Sequence, residues 1–171
     1  MKLKYLNHYP QSIQTQVTDL IKQDKLSSHL LHKYKKTHTF KNDKSLFTYT
    51  NDMKNTHMKK VAPLSKVIYD GKINVINNAL GTHTFVSRVQ GGKLKAKNEI
   101  RIASMFKNVP EDFLQMIVIH ELAHFKEKEH NKAFYKLCEY MQGNYHQVEF
   151  DLRLYLTHVE MFGKLEAWNS N

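Results

Sequence analysis

One cysteine, three prolines, six glycines and one tryptophan in 171 residues leave little material for several common architectures. A single Cys138 excludes an intrachain disulfide and any zinc site built on two or more thiolates. Proline, glycine and serine never cluster into a linker, and no repeat or low-complexity tract interrupts the chain. A single domain over residues 1–171 is therefore expected, long enough for one hydrophobic core and short for two. No apolar run approaches the ~20 residues needed to cross a bilayer. The opening Met1–Pro10 is too mixed in character for the apolar region of a signal peptide. These absences together point to the cytoplasm, away from any membrane. Acidic residues are also in the minority, 16 against 26 Lys+Arg, for a formal charge of +10. Such a field attracts anions, from nucleotides to acidic peptides or nucleic acid, although the same charge serves plain solubility.

What is present is a globular pattern, 41% hydrophobic and 11% aromatic. From Gln11 to about Lys36, Ile13, Val17, Leu20, Ile21, Leu30, Leu31 and Tyr34 recur near helical spacing. A second helix is expected over Asp43–Lys60, with Asp43 as cap, stopped before Pro63. The period then changes. Lys66–Tyr69 and Lys72–Ile76 flank Asp70-Gly71, a hairpin signal, and Thr82–Val89 is a third strand candidate. Lys93 to Ile102 alternates: Leu94, Ala96, Ile100 and Ile102 on one side, interrupted by Asn98, with Lys93, Lys95, Lys97, Glu99 and Arg101 on the other. Helical spacing returns at Pro110, with further helices expected from about Asn131 to Met141 and from Tyr145 to Phe162. Helices, a small, mostly antiparallel sheet, then helices make an α+β fold.

Residues 120–124 read His-Glu-Leu-Ala-His. Positions four apart share a helical face, so His120 and His124 can bind one ion together, and neutral imidazole is a good zinc ligand. Glu121 is turned by roughly 100° about the axis, close to the metal without being a first choice as ligand. That is the placement of a general base. Eleven histidines make a chance His-x-x-x-His pair unremarkable, but this one follows the apolar Met116-Ile-Val-Ile119 and meets strongly polar residues only afterwards. Catalytic zinc sites need a third ligand. His130 is nearest, yet six residues on it stands roughly 120° round a continuous helix, so the helix would have to break after Phe125. Glu127-Lys-Glu-His130 contains no turn residue to break it, which separates the chain from the metzincins. Glu149 is the rival third ligand, and His130 has a structural alternative as a cap for the next helix.

The stretch Met116-Ile-Val-Ile-His-Glu-Leu-Ala-His-Phe-Lys-Glu-Lys-Glu-His-Asn-Lys-Ala-Phe134 resembles the signature of the bacterial YgjP-like metal-dependent hydrolases, zincin-type proteins related to SprT-like and WLM metallopeptidase domains. The resemblance extends upstream through Val86–Lys97 to the opening Tyr-Leu-x-x-Tyr-Pro, nearly the whole chain. It implies metal ligation by His120, His124 and His130, catalysis by Glu121, and a zincin fold with a twisted sheet over the active-site helix. The family's strand motif Trp-Gly-Ser-Cys is absent; Val89-Gln-Gly-Gly92 stands in its place, so no role of that Cys transfers.

The expected activity is that of a hydrolase of the metallopeptidase type with one Zn2+, or another divalent ion, and Glu121 as base. The substrate would be a peptide pairing with an edge strand. An alternative is a nucleoside-triphosphate pyrophosphohydrolase, since relatives in the nearest subgroup are associated with UTP. In that case Arg88, Lys93, Lys95, Lys97 and Arg101 would neutralise the polyphosphate. The same lysines also suit an ordinary solvated edge face. A nucleic-acid-associated module is a third possibility, without a recognisable binding motif. Tyr145, His146 and Arg153 are weaker candidates for contacting substrate at a site facing the last long helix.

Overall fold

The computed structural model describes residues 1–73, 81–90 and 93–169, the stretches 81–90 and 93–97 as backbone alone. Three helices come first: α1 (Gln11–Lys22), α2 (Leu26–Lys33) and α3 (Asp43–His57). Strands β1 (Leu64–Asp70), β2 (Gly81–Gln90) and β3 (Lys93–Ala103) follow. The chain then continues through α4 (Glu111–Ala123), α5 (Lys132–Met141), α6 (Tyr145–Phe162) and α7 (Glu166–Asn169). The α+β expectation holds.

The single long helix expected over Gln11–Lys36 is two. Asp24 adopts φ 56°, a left-handed conformation that Asp tolerates better than most side chains. The Lys25 amide then reaches back to the Leu20 carbonyl at 2.8 Å and the Asp24 amide to Ile21 at 3.0 Å, the two bonds of a Schellman stop. Each helix buries residues four apart, Val17 and Ile21 in α1 and Leu26 and Leu30 in α2, so each half shows helical spacing by itself. At α3 the cap is Asn42 rather than Asp43: Asn42 Oδ1 accepts from the Ser45 amide at 2.8 Å. Asp43 instead accepts from the Tyr69 amide at 2.9 Å and ties the helix to β1.

The sheet runs β1-β3-β2 and is mixed. β2 is antiparallel to β3, whereas β1 pairs with β3 in parallel, Val67 opposite Ile100 and Tyr69 opposite Ile102. The Asp70-Gly71 turn does form, with Asp70 Oδ1 accepting from the Lys72 amide at 2.8 Å. Of the expected return strand, residues 74–76 lie outside the described residues. Asn98, the polar intruder on the apolar face, is buried and satisfied: its side chain donates to the Ala62 carbonyl at 3.0 Å.

Helix α4 is the centre of the molecule. Phe113, Leu114, Met116, Ile117, Val118, Ile119, Leu122 and Ala123 are all buried, a helix apolar on every side as an interior helix must be. It packs against β2 and β3 as well as α5 and α6. Helix α6 is fastened to the N-terminal half by a buried carboxylate. Asp151 accepts from Tyr34 Oη at 2.5 Å and Gln147 Nε2 at 3.1 Å, and pairs with Lys33 Nζ at 2.6 Å.

His38 is similarly buried. Its Nε2 faces the Phe106 carbonyl at 2.6 Å while Nδ1 accepts from the Phe40 amide at 3.0 Å. An acceptor on one nitrogen and a donor on the other fix a neutral ring, and burial pulls its pKa below the ordinary 6.5. A histidine with a depressed folded pKa binds protons more weakly than in the unfolded chain. Its contribution to stability is present above about pH 6.5 and is lost as pH falls below it. The advantage of wild type over His38→Gln in urea unfolding should therefore be larger at pH 7.5 than at pH 5.5. A gap that widens on acidification would contradict this reading of His38.

Candidate metal centre

His120 occupies the last turn of α4, and His124 is its C-terminal cap residue. Beyond it the backbone tightens: the Phe125 amide bonds to Leu122 O at 3.1 Å and the Lys126 amide to Ala123 O at 3.0 Å, a three-residue closure in place of the helical one. The chain then turns back without a glycine. Among the described residues Asp24 is the one non-glycine with positive φ, so nothing between Phe125 and Asn131 needs a left-handed conformation. Asn131 then caps α5, its Oδ1 accepting from the Phe134 amide at 2.8 Å. With the cap supplied by Asn131, the His130 ring is available to swing back to the end of α4.

The result is a near-equilateral triangle of ring nitrogens. Nε2 of His120 lies 3.2 Å from Nε2 of His124 and 3.2 Å from Nε2 of His130, and the third edge is 3.0 Å. Three imidazoles around a tetrahedral ion at a Zn–N distance of 2.0–2.1 Å would show edges of about 3.3 Å. The donor set fits a divalent metal. So does the protonation pattern: His124 Nδ1 faces the Glu127 carbonyl at 3.0 Å. A carbonyl only accepts, so the ring proton sits on Nδ1 and a lone pair on Nε2, turned into the triangle.

Two aromatic side chains hold the rings. Phe134, fully buried, packs against His120, His124 and His130 with centroids 4.9, 4.6 and 5.0 Å away. The Tyr145 hydroxyl lies 2.9 Å from Nδ1 of His120. Burial, reinforced by Glu149, holds that phenol protonated far above its ordinary range. Glu121 is 3% exposed beside His120 on α4, a carboxylate shielded from bulk water. Burial also pushes the Cys138 thiol up to about 12, which leaves it neutral.

The structure thus brings His120, His124 and His130 together and sets Glu121 next to them in the same helical turn. Arg153 is elsewhere engaged, its Nη1 donating to the Tyr5 carbonyl at 3.1 Å and its Nε 3.7 Å from Glu149. Glu149, the rival third ligand, thus faces Arg153 and Tyr145. Arg101 lies between the buried Ile100 and Ile102, on the face of β3 turned away from the core, 3.2 Å from Asp70 Oδ2. Arg88 stands opposite Lys95 in the β2–β3 register, Val86 opposite Lys97 and Gln90 opposite Lys93. The side chains of Arg88, Lys93, Lys95 and Lys97 lie outside the described residues. His146 is exposed and pairs with Glu139 at 2.8 Å. Sequence reasoning gave Phe134 no part in the site and left the contact between Tyr145 and His120 unseen. A buried tyrosine implies a partner for its hydroxyl, but only the fold says which.

Comparison with known proteins matches the family model described as YgjP-like, metallopeptidase domain, over residues 32–155. A protein of Escherichia coli (strain K12) named UTP pyrophosphatase is 56% identical over 159 residues, covering 93% of this chain and 95% of that protein. No solved structure matches. With the histidine triangle at the end of α4, these matches establish that the chain belongs to the YgjP-like metallopeptidase-domain family and is a hydrolase.

Proposed function

We propose that this chain is a zinc-dependent nucleoside-triphosphate pyrophosphohydrolase acting on UTP or a close analogue, as a single cytoplasmic domain of zincin type. The observation that carries the reading is 56% identity, over nearly the full length of both chains, to a protein named UTP pyrophosphatase. Net charge of +10 suits a polyanionic substrate. His120, His124 and His130 would hold the ion. A divalent ion there supplies Lewis acidity, drawing charge from a phosphoryl oxygen and acidifying nearby water. Glu121 takes a proton from the water that attacks the α-phosphorus. The anhydride bond between the α- and β-phosphates breaks, and the proton passes to the departing pyrophosphate as the nucleoside monophosphate forms. The buried setting of Glu121 keeps that proton from exchanging freely with bulk solvent.

We place phosphate-binding charges on the turn after α4. Lys126, Lys128 and Lys132 are exposed and lie within six residues of a proposed ligand in sequence, whereas Arg101 is paired with Asp70 on the far face of β3. The peptidase reading has one observation in its favour: β2 is an edge strand among the described residues and packs against α4, where an extended peptide could add to the sheet.

Purified chain with stoichiometric zinc should release pyrophosphate from UTP. Glu121→Gln should retain zinc while losing about 10²–10⁴-fold in kcat, the usual worth of a general base. His124→Ala should lose the metal itself, measured as zinc content after gel filtration. Undiminished turnover by Glu121→Gln would sink the mechanism, and casein cleavage with untouched UTP would transfer the site to the peptidase reading. Lys126→Gln/Lys128→Gln should raise KM for UTP with kcat little changed. A larger KM effect from Lys93→Gln/Lys95→Gln would return phosphate binding to the strand.

A further inference from the structure

Helix α6 carries a stripe of polar groups at one-turn intervals, Tyr145, Glu149 and Arg153, on a helix whose other inward residues are largely apolar. Tyr145 is fully buried, with its hydroxyl 2.9 Å from His120 Nδ1. Glu149, one turn along, faces the same hydroxyl. Arg153, a further turn along, approaches Glu149 Oε1 to 3.7 Å with Nε and donates from Nη1 to the Tyr5 carbonyl at 3.1 Å.

Donor and acceptor chemistry links this row to the metal position. An ionised carboxylate only accepts, and a phenol has a single proton. With Nε2 of His120 turned into the triangle as a ligand, Nδ1 carries the ring proton and the phenol oxygen accepts it at 2.9 Å, which leaves the phenol's own proton for Glu149. The guanidinium, 3.7 Å away, holds Glu149 in place, and the Tyr5 carbonyl anchors the guanidinium. His124 obtains the same tautomer from a backbone carbonyl, an acceptor that is part of its own turn. His120 depends on side chains from another helix.

We infer that Tyr145, oriented by Glu149 and Arg153, is a positioning residue that fixes His120 as the Nδ1–H tautomer with its Nε2 aimed at the metal position. This rests on the reading of His120, His124 and His130 as metal ligands. It assigns Arg153 an indirect part, through Glu149, in place of contact with substrate. Outer partners of this kind are commonly worth 10–100-fold in metal affinity.

The test uses the full chain and Zn2+ alone, titrated against a chelator of known affinity. Wild type should bind one zinc. Tyr145→Phe, which keeps the ring but removes the hydroxyl, should bind about 10–100-fold more weakly. Glu149→Gln should weaken binding less, because its amide oxygen can still accept. In zinc-free wild type, long-range nitrogen–proton NMR should find the His120 proton on Nδ1. Equal zinc affinity in Tyr145→Phe and wild type, or a proton on Nε2 in the zinc-free protein, would overturn the inference. If Tyr145→Phe does not fold, Glu149→Gln and the wild-type tautomer still decide. Wild type that binds no zinc would overturn the metal reading itself, a result distinct from a variant that binds as well as wild type.

Discussion

Three ring nitrogens sit within 3.2 Å of one another, and at least one of them, on His124, must present a lone pair. Lone pairs crowded this closely repel unless something positive stands between them. The surroundings of the triangle share that requirement. The Glu127 carbonyl places the His124 proton on the outer nitrogen, Phe134 blocks all three rings from turning away, and Tyr145 meets His120 from outside. The end of α4 contributes as well, because the carbonyl end of a helix carries partial negative charge and favours a cation. The acidic residues Glu111 and Asp112 stand at the opposite end, where the helix favours them. One helix thereby gains at both termini.

The geometry of the triangle depends on the turn between His124 and His130. A glycine would be the obvious device for reversing the chain there, and its absence is what made the third ligand ambiguous in the sequence. The structure solves the problem with tightened backbone closure after Leu122 and a capping asparagine, neither of which has a distinctive residue pattern. The cap at Asn131 also removes the competing role that His130 had in the sequence.

Much else was legible where a local rule had no rival. The start of α4 at Pro110, its apolar stripe, the bounds of α6 and the α+β class all follow from spacing and capping chemistry. The break at Asp24 was hidden because each half keeps its own four-residue apolar spacing and the stop uses an aspartate in place of glycine or proline. Strand pairing was hidden for a different reason. Alternation identifies a strand and its buried face but says nothing about its neighbours, so the parallel union of β1 with β3 could not be read from Val67 or Ile100. Side-chain partnerships between distant segments, such as Tyr145 with His120, are beyond any spacing rule.

The ties on α6 and α7 also bear on the order in which the molecule can be made. Tyr34 meets Asp151 across 117 residues, Arg153 meets Tyr5 across 148, and Trp168 donates to the Tyr34 carbonyl across 134. Closing such large loops is entropically costly and slow, and contacts this far apart form only after both partners exist. During synthesis, α4 and both of its histidines leave the ribosome before α6 does. Until α6 docks, the His120 ring lacks the Tyr145 hydroxyl and the side of α4 that α6 covers is open. The nascent chain therefore passes through an interval in which its most hydrophobic helix is partly uncovered and His120 has yet to meet Tyr145. Completion of the surroundings of the histidine triangle is in this sense coupled to the docking of α6.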